Sequence, residues 1–319
     1  MRRAGRRFVV LVALGVALEA ATAGVVWRGL DTMGQCYWAW WPVTPAGYVQ
    51  PVVCREPIVG VGFHLFVPVA GLGALLLATV VSGATAAVGS WRRARRLWSM
   101  LGPSADVVPE PLAVAAQRTG DGAVELRRHA EPYALCIGLA RPVVVVSTTL
   151  LEMLTSEELV AVVAHEQRHR RRRAPLRELA ATAIVGALFF LPTLDDLADA
   201  HRVDEEVVAD HEAVLVAGRR PLVHALAKLT DLAVLMPSPA VAITGADTLG
   251  ARLYALQHGS LAPLRLHRRR LALSVAAVAA LLLVAVWMPA AGTRHQAPGT
   301  SVAPELTSIH RWIQSSMWS

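Results

Sequence analysis

Three apolar runs, Phe8 to Trp27, Ile58 to Trp91 and Leu271 to Met288, are each flanked on one side by a block of arginines. A helix rises 1.5 Å per residue, so roughly 20 apolar residues cover a hydrocarbon core of about 30 Å. The chain is 54% hydrophobic and only 17% charged, against roughly 25% charged in an ordinary soluble domain. A simple soluble enzyme is thereby excluded, and one modest cytoplasmic domain remains once the runs are subtracted. The net charge of +7 would also suit nucleic acid. The arginines lie beside the apolar runs, however, and no helix-turn-helix, zinc-finger or RNA-binding motif is present, so no direct nucleic-acid contact is expected.

Arg2, Arg3, Arg6 and Arg7 precede the first run and place the N-terminus in the cytoplasm. Ala21-Thr22-Ala23 has small residues at a signal-cleavage spacing, so a removed leader is the alternative; both readings put residues 28 to 57 outside. Cys36 and Cys54 in that loop face an oxidising compartment, where they either pair or stay as two free thiols. Arg92, Arg93, Arg95 and Arg96 return the chain to the cytoplasm, and Arg265, His267, Arg268, Arg269 and Arg270 direct the third run outward. The expected organisation is two transmembrane helices with a short extracytoplasmic loop over 1–97, a cytoplasmic domain over 98–264, a last transmembrane helix over 265–289, and a short extracytoplasmic tail over 290–319. This describes a multi-pass protein of the inner or plasma membrane. Glu19 and His64 fall inside the first two spans and are read as facing each other between helices, since no further ionisable groups form a relay.

Within the cytoplasmic segment, Ala123 to Arg128 and Ala134 to Thr149 read as extended and predict a small sheet. Thr155-Ser156-Glu157-Glu158 is a capping box, which opens a helix through about Arg172. That helix carries His165-Glu166-Gln167-Arg168-His169. Residues four apart share a helix face, so both imidazoles reach one Zn²⁺ at about 2.0 to 2.1 Å. Glu166 then lies beside the position left open, placed to take a proton from an attacking water, as in metallopeptidases. A solvated basic helix running into Arg170 to Arg173 is the alternative, but it leaves the apolar face of Leu159, Val162 and Val163 unexplained.

A catalytic zinc keeps three protein ligands and one open position, so a third ligand must come from elsewhere. At about 100° per residue, Val203, Glu206, Val207, Asp210, Val214 and Ala217 fall on one stripe, with Glu205 and Glu212 expected on the opposite side. Two carboxylates on an apolar stripe require a cation or strong donors in the interior. Glu206 is read as the third ligand and Asp210 as the acceptor from a ligand imidazole, which fixes its tautomer. Arginine partners for both acids are the alternative.

His165-Glu166-x-x-His169 followed by Glu206-Val207-Val208-Ala209-Asp210 resembles the paired motifs of integral-membrane gluzincins, particularly the BlaR/MecR-type antirepressor metallopeptidases and more distantly the HtpX-type membrane proteases. Tyr133 to Gly138 and Arg141 to Ser147 are similar to their edge strand and the strand after it, and the likeness spans roughly 120 to 258. It implies a mainly α membrane protein with a small α+β zincin-like cytoplasmic domain. It also implies Zn²⁺ on His165, His169 and Glu206, Glu166 as the group that activates water, and an extended protein or peptide substrate added to the strand of Ala134, Leu135, Cys136, Ile137 and Gly138. The implied activity is cytoplasmic endopeptidase cleavage, with a transcriptional repressor as one substrate class. The chain departs from the BlaR/MecR pattern at its C-terminus, where a short tail without a Ser-x-x-Lys motif stands in place of a penicillin-binding sensor domain.

The run 179–194 is too short for an ordinary span and is expected to be a buried or re-entrant helix, because a crossing there would put His169 and Glu206 in opposite compartments. Arg170 to Arg173 ahead of it suit anionic lipid headgroups, so the lipid bilayer is an expected partner. His224, Arg252 and Tyr254 are within sequence reach as helpers of the oxyanion, and no pattern selects one. Cys136 either caps a metal in an inhibited form or is a plain buried thiol. The competing function is a zinc-binding membrane scaffold that cuts nothing. Nothing in the sequence sets an oligomeric state.

Overall fold

The computed structural model describes residues 3–38, 58–105, 107–120, 123–235, 248–259 and 266–294. Two long helices come first, α1 (Arg3–Trp38) and α2 (Ile58–Met100), followed by the short α3 (Glu110–Arg118). Three strands follow, β1 (Val124–Arg127), β2 (Ala134–Ile137) and β3 (Val143–Ser147). Then come α4 (Thr148–Met153), α5 (Ser156–Arg171), α6 (Ala174–Ala187), α7 (Thr193–Ala217), α8 (Arg219–Leu235), α9 (Leu249–His258) and α10 (Arg268–Arg294). The described residues are therefore mostly helical with one small sheet, the α-rich class expected from the sequence. The chain divides into two compact units, one of residues 1–20 with 74–277 and one of residues 21–73 with 278–319. In the second unit Val69 and Leu72 are buried against Val25, Val26, Leu281 and Val284.

Two stretches, Gly5–Arg28 in α1 and Val67–Met100 in α2, are long and apolar enough to cross a membrane. Val9, Val10, Leu77 and Val80 along them are well exposed, an arrangement suited to lipid rather than to water. Glu19 of α1 meets Thr79 of α2, with 3.3 Å between Oε2 and Oγ1. The side chain of His64, expected to face Glu19, lies outside the described residues. The side chain of Cys36, residue Cys54 and the tail from 295 onward also lie outside them.

The stretch expected to be extended from Ala134 to Thr149 is two strands and a helix start. The chain reverses at Gly138, whose φ of +105° is open to glycine; a Cβ there would sit 2.7 Å from the carbonyl oxygen of Arg141. After the reversal β3 pairs antiparallel with β2, Cys136 opposite Val144, and parallel with β1, Val124 opposite Val144. The order β1-β3-β2 leaves β2 at an edge of the sheet. Val144, Val145 and Val146 are fully buried because β3 is central.

Helix α5 starts where the sequence predicts. The Thr155 hydroxyl accepts from the Glu158 backbone N–H, and the Glu158 carboxylate accepts from that of Thr155 at 2.9 Å. Lys228 Nζ donates to the same carboxylate at 2.6 Å, tying α8 to this cap. Leu159, Val160 and Val163 pack into one core with Val144 and Val146 of the sheet and Leu112 of α3. A second cluster joins Ala161 and Ala164 of α5 to Ala213 of α7 and Leu222 of α8. Small residues on both α5 and α7 let these helices approach closely, which is what brings the polar face of one to the other.

The apolar run 179–194 is not one helix. α6 ends at Ala187, the chain turns through 188–192, and α7 begins at Thr193 after Pro192. Leu188, Leu191 and Leu194 are buried, whereas no residue of α6 itself is fully buried.

Candidate active site

The capped, close-packed α5 fixes His165 and His169 one turn apart on the face toward α7. Their Nε2 atoms lie 3.1 Å from each other, and Glu206 of α7 sits 3.4 Å from the first and 3.3 Å from the second. One donor atom from each of the three falls within 4.8 Å of the other two. Two imidazole nitrogens and a carboxylate oxygen aimed at a common point are the donor set zinc takes in catalytic sites. The residues present therefore fit the ion.

A polar frame holds these donors. Asp210, fully buried one turn beyond Glu206, lies 3.0 Å from His165 Nδ1, an approach bent away from ideal hydrogen-bond geometry. The same carboxylate accepts a fork from buried Arg252 of α9, Nε at 2.8 Å and Nη2 at 2.6 Å. Arg252 Nη1 lies 3.3 Å from Glu206 as well. The two readings kept open for the acids thus coexist, since Asp210 has both a histidine and an arginine. Arg252 in this role has no sequence signal beyond being an arginine among apolar helix positions, 42 residues from its partner. The planar fork is what makes an arginine, rather than a point charge, fit a carboxylate that also backs a histidine.

The expected placement of Glu205 and Glu212 away from the apolar stripe is overturned. Glu212 pairs with Arg168 and, at 2.6 Å, with Arg171, and Glu205 pairs with Arg177 at 3.2 Å. The helix meets α5 along Ala209, Asp210 and Ala213, which turns the flank bearing Glu212 toward the basic end of α5. Arg168, inside the His-Glu-x-x-His motif, is buried and serves this contact.

Charge and burial compete at each group. Burial opposes ionisation of Glu206, but hydrogen bonds with His165 and His169 outweigh it and hold the carboxyl far below its usual range. Burial likewise opposes the charge on Asp210, and His165 with Arg252 reverses the balance. For His165 burial disfavours the cation, yet Asp210 and Glu206 push its pKa up to about 9. Glu166 is raised, chiefly by burial, against the opposing pull of the two histidines. The thiol of Cys136 on β2 is also pushed up, by burial and then by the nearby Glu166 charge. The edge strand packs against α5, with Ala134, Leu135 and Ile137 buried and Cys136 half-buried.

A pH dependence of metal binding follows. Zinc needs the neutral imidazole, and the metal-free His165 keeps its proton up to about pH 9. One proton is then displaced per ion, so zinc affinity is expected to rise about tenfold per pH unit from 7 to 9 and to level off above. Competition with a calibrated chelator across that range checks this, and a flat profile would show that His165 is not protonated in the empty site. The sign for the metal-free fold is opposite: with a folded pKa above the ordinary 6.5, the imidazolium contribution is complete below 6.5 and is lost as pH rises through about 9.

No curated protein matches the chain. The model of one family, described as Peptidase family M48, matches residues 105–264, which is half of the chain and contains every residue of the His165, His169 and Glu206 cluster together with Glu166, Asp210 and Arg252. A sheet with β2 at its edge, a helix bearing two histidines and a glutamate, and a third donor from a later helix all lie within that match: the chain belongs to peptidase family M48, the zinc metallopeptidases.

Proposed function

We propose that the protein is a membrane-embedded zinc endopeptidase with its active site at the cytoplasmic face. The observation that carries this reading is the convergence of His165, His169 and Glu206 beside Glu166 and next to an edge strand. In it His165, His169 and Glu206 hold Zn²⁺, Asp210 orients His165, and Arg252 keeps Asp210 ionised and in place. When bound, zinc supplies Lewis acidity at the scissile carbonyl and lowers the pKa of water. Glu166 takes a proton from the attacking water at its carboxylate and returns it to the leaving amine nitrogen. Its raised pKa suits a group that must hold that proton between the two steps. The outer edge of β2, over Ala134 to Gly138, offers backbone groups to an extended substrate.

The arginine blocks orient α1, α2 and α10 as spans, with residues 98–264 in the cytoplasm and 290–319 outside. The turn at 188–192 supports a hairpin that enters and leaves by the same face. The likeness to BlaR/MecR-type proteins makes regulatory cleavage of a repressor the biological role to examine, with the activating stimulus arriving from outside. Purified full-length protein in detergent is expected to cut β-casein, to stop after treatment with 1,10-phenanthroline and to resume on adding zinc. Cleavage that survives complete metal removal would defeat the zinc mechanism.

A further inference from the structure

Arg168 stands between the two histidines of α5, one residue before His169, and is only 4% exposed. Its Nη1 donates to Glu212 of α7, and its Nη2 lies 3.8 Å from Glu205 of the same helix. Among the described residues its Nε and Nη2 make no hydrogen bond. A buried guanidinium with two nitrogens unserved is a poor source of stability, because lost hydration offsets the attraction unless every donor finds an acceptor. An apolar side chain of similar length would pack there without that penalty.

The position of the acids points to another use. Glu205 and Glu212 are seven residues apart, so they share one flank of α7 with about 10.5 Å between them along the axis. Arg168 faces both from α5, and Glu206 falls inside the interval they mark. Arginines close the row at either end, Arg171 on Glu212 at 2.6 Å and Arg177 of α6 on Glu205 at 3.2 Å. Charge alternates along the row. A slide of α7 by one residue, about 1.5 Å, therefore carries both carboxylates off their partners at once. Elsewhere the two helices touch through Ala161 and Ala164 against Ala213, and such low ridges allow close approach while resisting sliding little. Zinc demands a finer fit, since its ligand distances hold to about 0.2 Å, and Glu206 is the one donor of the three that α7 supplies.

We infer that Arg168 is a positioning residue: held between Glu205 and Glu212, it fixes the register of α7 against α5 and so sets Glu206 opposite His165 and His169. This rests on the zinc-site reading above. Fixing register at no gain in stability is the best-attested use of a buried charge. A stabilising contact and a bare charge would behave differently on removal of Arg168. The first would take folding stability with it. The second would tighten zinc, because a cation near the site repels the ion. A register contact does neither: zinc binding weakens while the metal-free fold holds, because Glu212 keeps Arg171 and Glu205 keeps Arg177.

The test uses the full chain in detergent, with Arg168→Met and Arg168→Lys beside the wild type. Zinc affinity is measured by competition with a calibrated chelator, the metal-free fold by denaturant unfolding, and ligand geometry by the visible absorption of Co²⁺ bound in place of zinc. Arg168→Met is expected to bind zinc about 10- to 100-fold more weakly, the range for groups that orient metal ligands. Its metal-free unfolding midpoint is expected to stay at the wild-type value, and its Co²⁺ absorption at saturating metal to be weaker. Arg168→Lys keeps the charge but serves one acid at a time, and is expected to fall between the two. Zinc affinity in Arg168→Met equal to or above the wild type overturns the inference and leaves the zinc site standing. So does a lysine variant no better than the methionine one. A midpoint that falls, or a methionine variant that no longer folds, overturns it in favour of a stabilising contact. A wild-type chain that binds no zinc overturns the inference and the zinc-site reading together.

Discussion

Glu166→Gln is expected to lower peptide-bond hydrolysis about a thousandfold, within the 10² to 10⁴ that a positioned acid–base group supplies, while zinc stays bound with unchanged stoichiometry. The amide has nearly the shape of the carboxyl but cannot accept a proton from water. Glu166 is not one of the three converging donors, so the metal site keeps its ligands. Its half-buried position and raised pKa also mean that the neutral amide should be tolerated there with little loss of folding stability. Measuring casein cleavage, zinc content and thermal unfolding on the same preparation separates the outcomes. Full activity in the variant would remove Glu166 from the mechanism and favour a scaffold role for the site, whereas zinc lost together with activity would show that the residue holds the metal site together instead.

The second large effect is expected at Arg252. Its guanidinium is buried and faces Asp210 with two hydrogen bonds and Glu206 with a third nitrogen. Arg252→Met keeps the apolar stem but leaves the buried Asp210 facing His165 alone, and the half-buried Glu206 facing only the two histidines, in the metal-free protein. Removing one partner of a buried pair destabilises by about 3 to 5 kcal/mol, and a drop in unfolding free energy of that size is expected for the metal-free variant. Arg252→Lys restores the charge without the fork and should recover only part of the loss. Zinc should narrow the gap, because a dication supplies charge to the same carboxylates. Unchanged stability of Arg252→Met, measured by denaturant unfolding in chelator, would mean that the pair is worth no more than an apolar contact.

The two residues differ in how visible they are from sequence. Glu166 announces itself because the chemistry depends on neighbours one and three residues away on a single helix, and helix geometry turns that spacing into a shared face. Glu206 and Asp210 were legible as a second pair since two acids on an apolar stripe need a partner inside. The valine stripe of α7 does not mark its contact face: the tightest packing runs along Ala209 and Ala213, where small side chains permit close helix contact. Glu205 and Glu212 were consequently drawn into ion pairs with Arg177, Arg168 and Arg171. Similarly, a continuous β-like stretch from Ala134 to Thr149 conceals a reversal at Gly138 whose only mark is one glycine followed by a proline four residues on.

By itself the sequence determined what local geometry can encode: the apolar runs and their arginine blocks, the capped start of α5, the two histidines with Glu166, and the need of α7 for a positive partner. Only the tertiary structure decided which partners met across long separations. Arg252 reaches Asp210 from 42 residues away, β2 becomes the edge strand packed against α5, and Thr193 fastens to Ser274 from a distance of 81 residues. Helical spacing fixes directions within one element, whereas a contact between elements depends on how closely their surfaces pack, and that is set by many small side chains acting together.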